Sequence, residues 1–307
     1  LAIVPDFGVY RLQLDYPLRS DPPMSKIAII TDTDSSLSAD VAHSYNIQLV
    51  PIGINFGDES FTTGVDIDDA RLFERVNRTG KLPTTAAPSP EQFLRAYQQA
   101  FEGGADAIIC YCISAKMSAT YGAAVLAREM LPDREIEVID TNSVSLGQGF
   151  MALAAADVIH SGGSMTQALE VSQSIGQRAL LFGALSTLKF LVLGGRLTKF
   201  QANMAGLLDI RPVLTLNDGR LEMLERTRTH KKALARMIEL MSNALNGRPL
   251  EKLGIVHTDC LDEAQDFAEQ VRTALPCPAE IMISEFTPGL SVHTGPGMLG
   301  LLGVPAR

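Results

Sequence analysis

The residues best suited to chemistry in this 307-residue chain are hydroxyls that cluster just after apolar runs. Thr31, Thr33, Ser35 and Ser36 follow the first run. Ser114, Ser118 and Thr120 follow a later one, and Thr141, Ser143 and Ser145 another. Neutral donors beside helix N-termini suit an anionic head group, because free N–H groups and the positive dipole end favour negative charge. Helix capping explains each loop equally well when it is taken alone. Three such loops on one sheet edge shift the balance toward a ligand site, since open parallel sheets bind at their carboxyl ends. His293 stands at what reads as a strand end before Gly295-Pro296-Gly297, and Arg196 follows Gly194-Gly195 after a short apolar helix. A turn and a C-cap account for the glycines and leave the two charged-type side chains open.

The absent motifs narrow the chemistry. No GxxxxGK[ST] occurs and no GxGxxG follows the first strand, so nucleotide binding through those loops is not expected. The cysteines Cys110, Cys112, Cys260 and Cys277 form no CxxC and no regular Cys–His spacing. A metal site is therefore not expected, and reduced thiols in a cytoplasmic protein are. Mean hydropathy is +0.12, yet the apolar runs 179–188 and 149–156 stop at Lys189 and Asp157. A spanning helix needs about 20 apolar residues, so an integral membrane protein is not expected. Residues 1–23 carry Asp6, Arg11, Asp15 and Arg19 without a continuous apolar stretch. They read as an extension ahead of Met24 and not as a signal peptide.

Net charge is −9, but residues 178–236 hold eleven Lys or Arg against four acids, a local +7. Such a window suits an acidic partner or a phosphate, with a solvated basic face as the plain alternative. Its aromatics are Phe182, Phe190 and Phe200, without a recognition motif, so nucleic acid is not expected.

These residues must be placed by regular elements. Strand-like runs at 27–30, 48–56, 105–113 and 135–139 alternate with helix-like runs at 37–45, 118–131 and 144–160. That order implies parallel pairing through right-handed crossovers. Ser89-Pro90-Glu91-Gln92 is a capping-box start for a helix whose Phe93, Leu94, Tyr97 and Phe101 share a face, so 84–88 is expected to be an exposed loop before it. Ser161-Gly162-Gly163-Ser164 reads as a linker. Beyond it, a hairpin at 212–224 turns on Asp218-Gly219. Helices follow at 230–245 and 261–275, and strands at 253–257, 280–286 and 290–293. The expected fold is α/β with two domains. Residues 24–163 form an α/β/α unit with a mainly parallel sheet, and 164–307 an α/β unit with a mixed or antiparallel sheet.

With these segments in place, the sequence resembles the DegV family of bacterial fatty-acid-binding proteins from about residue 26 to 304. The matching blocks run in the family's order: Ile30-Thr31-Asp32-Thr33, Thr85-Ala86-Ala87-Pro88-Ser89, Met117-Ser118-Ala119-Thr120-Tyr121, Asp140-Thr141 and Ser145-Leu146-Gly147-Gln148-Gly149. Gly194-Gly195-Arg196, Ile210-Arg211-Pro212, Arg226-Thr227-Arg228-Thr229 and His293-Thr294-Gly295-Pro296-Gly297 complete the series. Ala86, Ala87 and Ala119 stand where the family commonly has Ser, Gln and Gly.

The resemblance implies a carrier that holds one long-chain fatty acid in an apolar tunnel between two domains, with no cofactor and no chemistry of its own. It implies that Thr85 and Ser118 meet the carboxylate. His293 and Arg196, with their neighbours Thr84 and Thr294, would lie around the head group or the partner-facing edge. It also implies a partner, an ATP-dependent fatty acid kinase that converts the bound acid to an acyl phosphate. The competing reading is an acyl ester hydrolase with Ser118 as nucleophile and His293 as base. That chemistry needs the base within hydrogen-bond reach of the serine and an acid behind it, and the sequence has no GxSxG elbow.

Overall fold

Alternating apolar runs and capped helices build the first half of the chain. The computed structural model describes residues 26–196 and 210–307. The extension at 1–23 and part of the basic window lie outside the described residues. The order begins β1 (Ile27–Asp32), a 3-10 turn (Thr33–Ser35), α1 (Ala39–Ser44), β2 (Ile47–Val50), β3 (Gly53–Phe56), β4 (Glu59–Thr62) and α2 (Asp69–Thr79). It continues through β5 (Thr84–Ala86), α3 (Pro90–Glu102), β6 (Ala107–Cys112), α4 (Thr120–Glu129), β7 (Glu135–Asp140) and α5 (Leu146–His160). Strands β2-β1-β6-β7 form a parallel sheet, and β6 is buried along its whole length, as a strand covered on both faces must be. Strands β4-β3-β5 make a small antiparallel sheet of their own.

The second half runs α6 (Met165–Arg178), β8 (Leu180–Ala184), α7 (Lys189–Leu193), β9 (Arg211–Asn217), β10 (Arg220–Thr227), α8 (His230–Leu245) and β11 (Leu250–His257). It ends with α9 (Leu261–Ala274), β12 (Met282–Glu285), α10 (Pro288–Thr294) and β13 (Leu299–Pro305). Here the sheet is mixed, in the order β10-β9-β8-β13-β11-β12, with β11 and β12 parallel and the other pairs antiparallel.

Helix α5 is buried on every side from Leu146 to Ala156 and belongs to the core cluster that reaches both large sheets. A helix without a polar face is a core helix. Its Gln148 Nε2 donates to Thr31 Oγ1 at 2.8 Å and to Asp32 Oδ2 at 3.0 Å, which fixes its N-terminal turn against β1. The turn at 161–164 joins α5 to α6, which pack on each other, and the Ser164–Gln167 capping box starts the second helix.

Several expectations are corrected. The run at 48–56 is two strands in different sheets, divided at Pro51, which has no N–H to continue a ladder. Residues 84–86 are a strand hydrogen-bonded to β3, so 84–88 is not an exposed loop. Residues 290–293 are helical: Pro288 sits in the first turn and Gly295, at φ 73°, ends the helix. His293 therefore projects from the last turn of α10 and not from a strand end. Strands β8 and β13, both central in the six-stranded sheet, had no counterpart in the sequence reading.

Candidate functional site

A cavity of about 250 Å³ opens at the carboxyl end of the parallel sheet. The inner face of the six-stranded sheet forms one wall, with Leu181, Gly183, Val256 and Leu302 among its residues. Ile113 and Val144, which follow β6 and β7, line it from the other side.

Its polar residues come from six segments. Thr85 is on β5, and its Oγ1 lies 3.2 Å from Nε2 of His293. Burial, together with the nearby Arg196 charge, lowers the His293 pKa to about 4, so the ring is neutral at pH 7. Among the described residues, Nδ1 of His293 has no hydrogen-bond partner. Gly194 packs so closely that a Cβ there would lie 2.3 Å from this nitrogen, which gives the Gly194-Gly195-Arg196 turn a steric reason for its first glycine. Half-buried Arg196 donates from Nη1 to the Gly194 carbonyl at 2.5 Å. Asp34, in the 3-10 turn after β1, completes this group. Burial and the neighbouring Asp32 push its carboxyl well above the usual range, while Thr287 Oγ1 and the Arg196 charge act the other way. Thr294 lines the same cavity, and its Oγ1 lies 3.3 Å from Thr258 Oγ1.

Ser118 also lines the cavity, in the turn ahead of α4. Its Oγ pairs with Thr120 Oγ1 at 2.8 Å. The structure thus brings Thr85, His293 and Arg196 together and places Ser118 and Thr294 on the same walls. Thr84 is exposed on β5 and is not among the lining residues. The hydroxyl-rich loops converge less than their composition suggests. Thr31 Oγ1 donates to the Tyr111 carbonyl, Thr141 Oγ1 to the Cys112 carbonyl, and Thr33 Oγ1 accepts from Ile52 N. These three serve the sheet. Ser145, one of the hydroxyls named from the sequence, lines the cavity, as does Asp34, which sequence reasoning did not single out. The signal for Asp34 was its place at the carboxyl end of the first strand.

The serine–histidine pair that a hydrolase would need is not assembled. His293 shares its hydrogen bond with Thr85 instead of Ser118, and among the described residues no acid stands behind its Nδ1. Among the described residues no group of three His, Cys, Asp or Glu side chains is placed to hold a metal ion. Among them also, no helix is long and apolar enough to cross a membrane.

Residues 26–306 match the model of a family described as "Uncharacterised protein, DegV family". A DegV domain-containing protein of Streptomyces coelicolor is 33% identical over 276 residues, covering 90% of this chain and 97% of the relative. One from Caldanaerobacter subterraneus is 33% identical over 281 residues, covering 91% and 98%. Among solved structures, a DegV family protein from Thermus thermophilus, described for its fatty acid binding, superposes with a TM-score of 0.83. It is 31% identical over 92% of this chain and 100% of its own. DegV from Bacillus subtilis, described as a fatty acid binding protein, gives a TM-score of 0.81 at 26% identity, again over 92% and 100%.

Proposed function

The chain belongs to the DegV family, and from that premise we propose that it is a non-catalytic carrier of one long-chain fatty acid. The observation that carries this reading is the apolar cavity between the sheets, with Thr85, His293, Arg196 and Asp34 grouped on its wall. The acyl chain supplies the affinity, at about 0.8 kcal/mol for each methylene buried, offset by the ordering of the chain. The hydroxyls of Thr85 and Ser118 orient the carboxylate. In this reading the division into two domains falls at the turn 161–164, and the ligand lies between them.

The reading extends to a cytoplasmic partner, an ATP-dependent kinase that phosphorylates the presented carboxylate. It is supported by the position of Arg196, which is half-buried at the cavity wall next to exposed Leu193. Charge reversal at Arg196 or Arg228 lowers acyl phosphate formation with the kinase more than it lowers fatty acid binding. Equal losses would refute that division of roles.

The carrier itself is tested by extracting the purified protein with organic solvent and identifying acids by mass spectrometry. A stoichiometric long-chain fatty acid is expected. Protein that is recovered empty and takes up neither palmitate nor oleate overturns the reading.

A further inference from the structure

On the inner face of the six-stranded sheet, two adjacent central positions lack side chains where the cavity crosses it. The register sets Leu214, Gly183, Gly300 and Val256 opposite one another on the adjacent strands β9, β8, β13 and β11. All four line the cavity. Residues directly opposite in a sheet share a face, so Leu214 and Val256 stand as banks with two glycines between them. A Cβ at Gly300 would come within 2.6 Å of Val256 Cγ2, which fixes the side of the sheet that this row faces. A Cβ at Gly183 would meet only the Leu299 carbonyl, at 3.9 Å, and otherwise open space. Neither glycine has a positive φ, so backbone conformation does not require them. Glycine also weakens a strand interior and often marks a place where a ligand approaches closely.

The next row ends the gap. Leu181 and Leu302 pair across β8 and β13, and both border a second cavity of about 210 Å³. That second cavity includes Thr141, Asn142, Ser143 and Asp218 in its lining, a poor setting for a methyl end. At the opposite end, Thr258 N donates to the Met298 carbonyl, and Thr258 Oγ1 meets Thr294 Oγ1 of α10. Along β13 the order is therefore polar end, Met298, glycine row and leucine wall.

Resting on the fatty-acid reading above, we propose that Gly183 and Gly300 form the slot through which the acyl chain passes. Leu181 and Leu302 are the wall that meets its methyl end, so these four residues set the chain length accepted. The test loads delipidated protein with an equimolar mixture of saturated acids from twelve to twenty carbons and quantifies those retained. Gly183→Val moves the retained distribution to shorter acids, with about fourfold discrimination for each methylene displaced. Leu181→Ala opens the wall and moves it to longer ones. Gly183→Ala, which adds one carbon into open space, is the milder companion and shifts the distribution in the same direction as Gly183→Val. Folded variants that keep the wild-type length distribution overturn the slot and wall while leaving the carrier reading intact. Wild-type protein that retains no acid at all overturns both.

Discussion

At the scale of single residues, several carboxyl and imidazole groups in and around the site are held away from their ordinary ionisation by burial. Asp69 shows the effect most directly. In the first turn of α2, its Oδ2 accepts from Ser291 Oγ at 2.6 Å and its Oδ1 has no partner among the described residues. Burial pushes its pKa up to about 7, with Glu285, Asp259 and Asp68 adding to the rise and Ser291 opposing it. The folded state thus keeps a proton that the unfolded chain releases near pH 4. The stability Asp69 contributes is complete below that pH and is lost as pH rises through about 7. Asp69→Asn stays neutral, so the wild-type Tm falls by roughly 2 °C relative to the variant between pH 6 and 8. Parallel Tm profiles would remove Asp69 from the pH response. Residues of this kind are the least legible from sequence. Thr85 and Ser118 stood out because they sit in recognisable blocks. Asp34 and Asp69 gain their character from what packs over them, Thr287 and Gly289 in one case and Ser291 in the other.

At the scale of elements, the β9–β10 hairpin ties the six-stranded sheet to the loop that carries Ser118. Ser114 Oγ donates to the Gly219 carbonyl at 2.8 Å, and Lys116 Nζ reaches both the Asp218 carbonyl, at 2.8 Å, and its carboxylate, at 2.6 Å. Asp218 and Gly219 both have positive φ, as a two-residue turn of this hand requires. An alanine Cβ at Gly219 would lie 2.5 Å from Ser114 Oγ and 2.8 Å from Asn142 Oδ1. Gly219→Ala therefore strains the turn and pushes the tip off its seat, at a cost of about 1–3 kcal/mol. Amide exchange should quicken across 211–227 while β6 stays protected. A uniform rise across the chain would show that the tip does not act locally.

This hairpin was legible because Asp-Gly turn chemistry is local, and α8 and α3 because periodicity and capping are local. Strand β13 and helix α10 were not. The glycines of Leu299–Pro305 break the pattern of a strand. The short stretch Leu290-Ser291-Val292-His293 alternates as a strand would, and its flanking proline and glycine decide for helix only once the surrounding packing is known.

At the scale of the whole molecule, the cavity draws its walls from both halves, so a bound acid would stabilise their joint arrangement. Ligand at about 100 times its Kd adds about 2.7 kcal/mol, which raises Tm by roughly 4 °C. Calorimetry of delipidated and loaded protein checks this, and an unchanged Tm would mean that the acid binds outside the closed structure. The α/β class and the parallel first sheet were legible as an alternation of elements. The order of the mixed sheet was not, because its pairings join strands far apart in the chain.

Helix α10 gives this architecture a consequence for recombination. Within seven residues and its cap, it reaches back to Asp34 through Thr287, to Asp69 through Ser291 and to Thr85 through His293. A hybrid of two relatives spliced at 161–164 would take each of these partners from a different parent. The three pairs would have to be inherited as matched sets, so the halves are adjacent modules that cannot be exchanged independently.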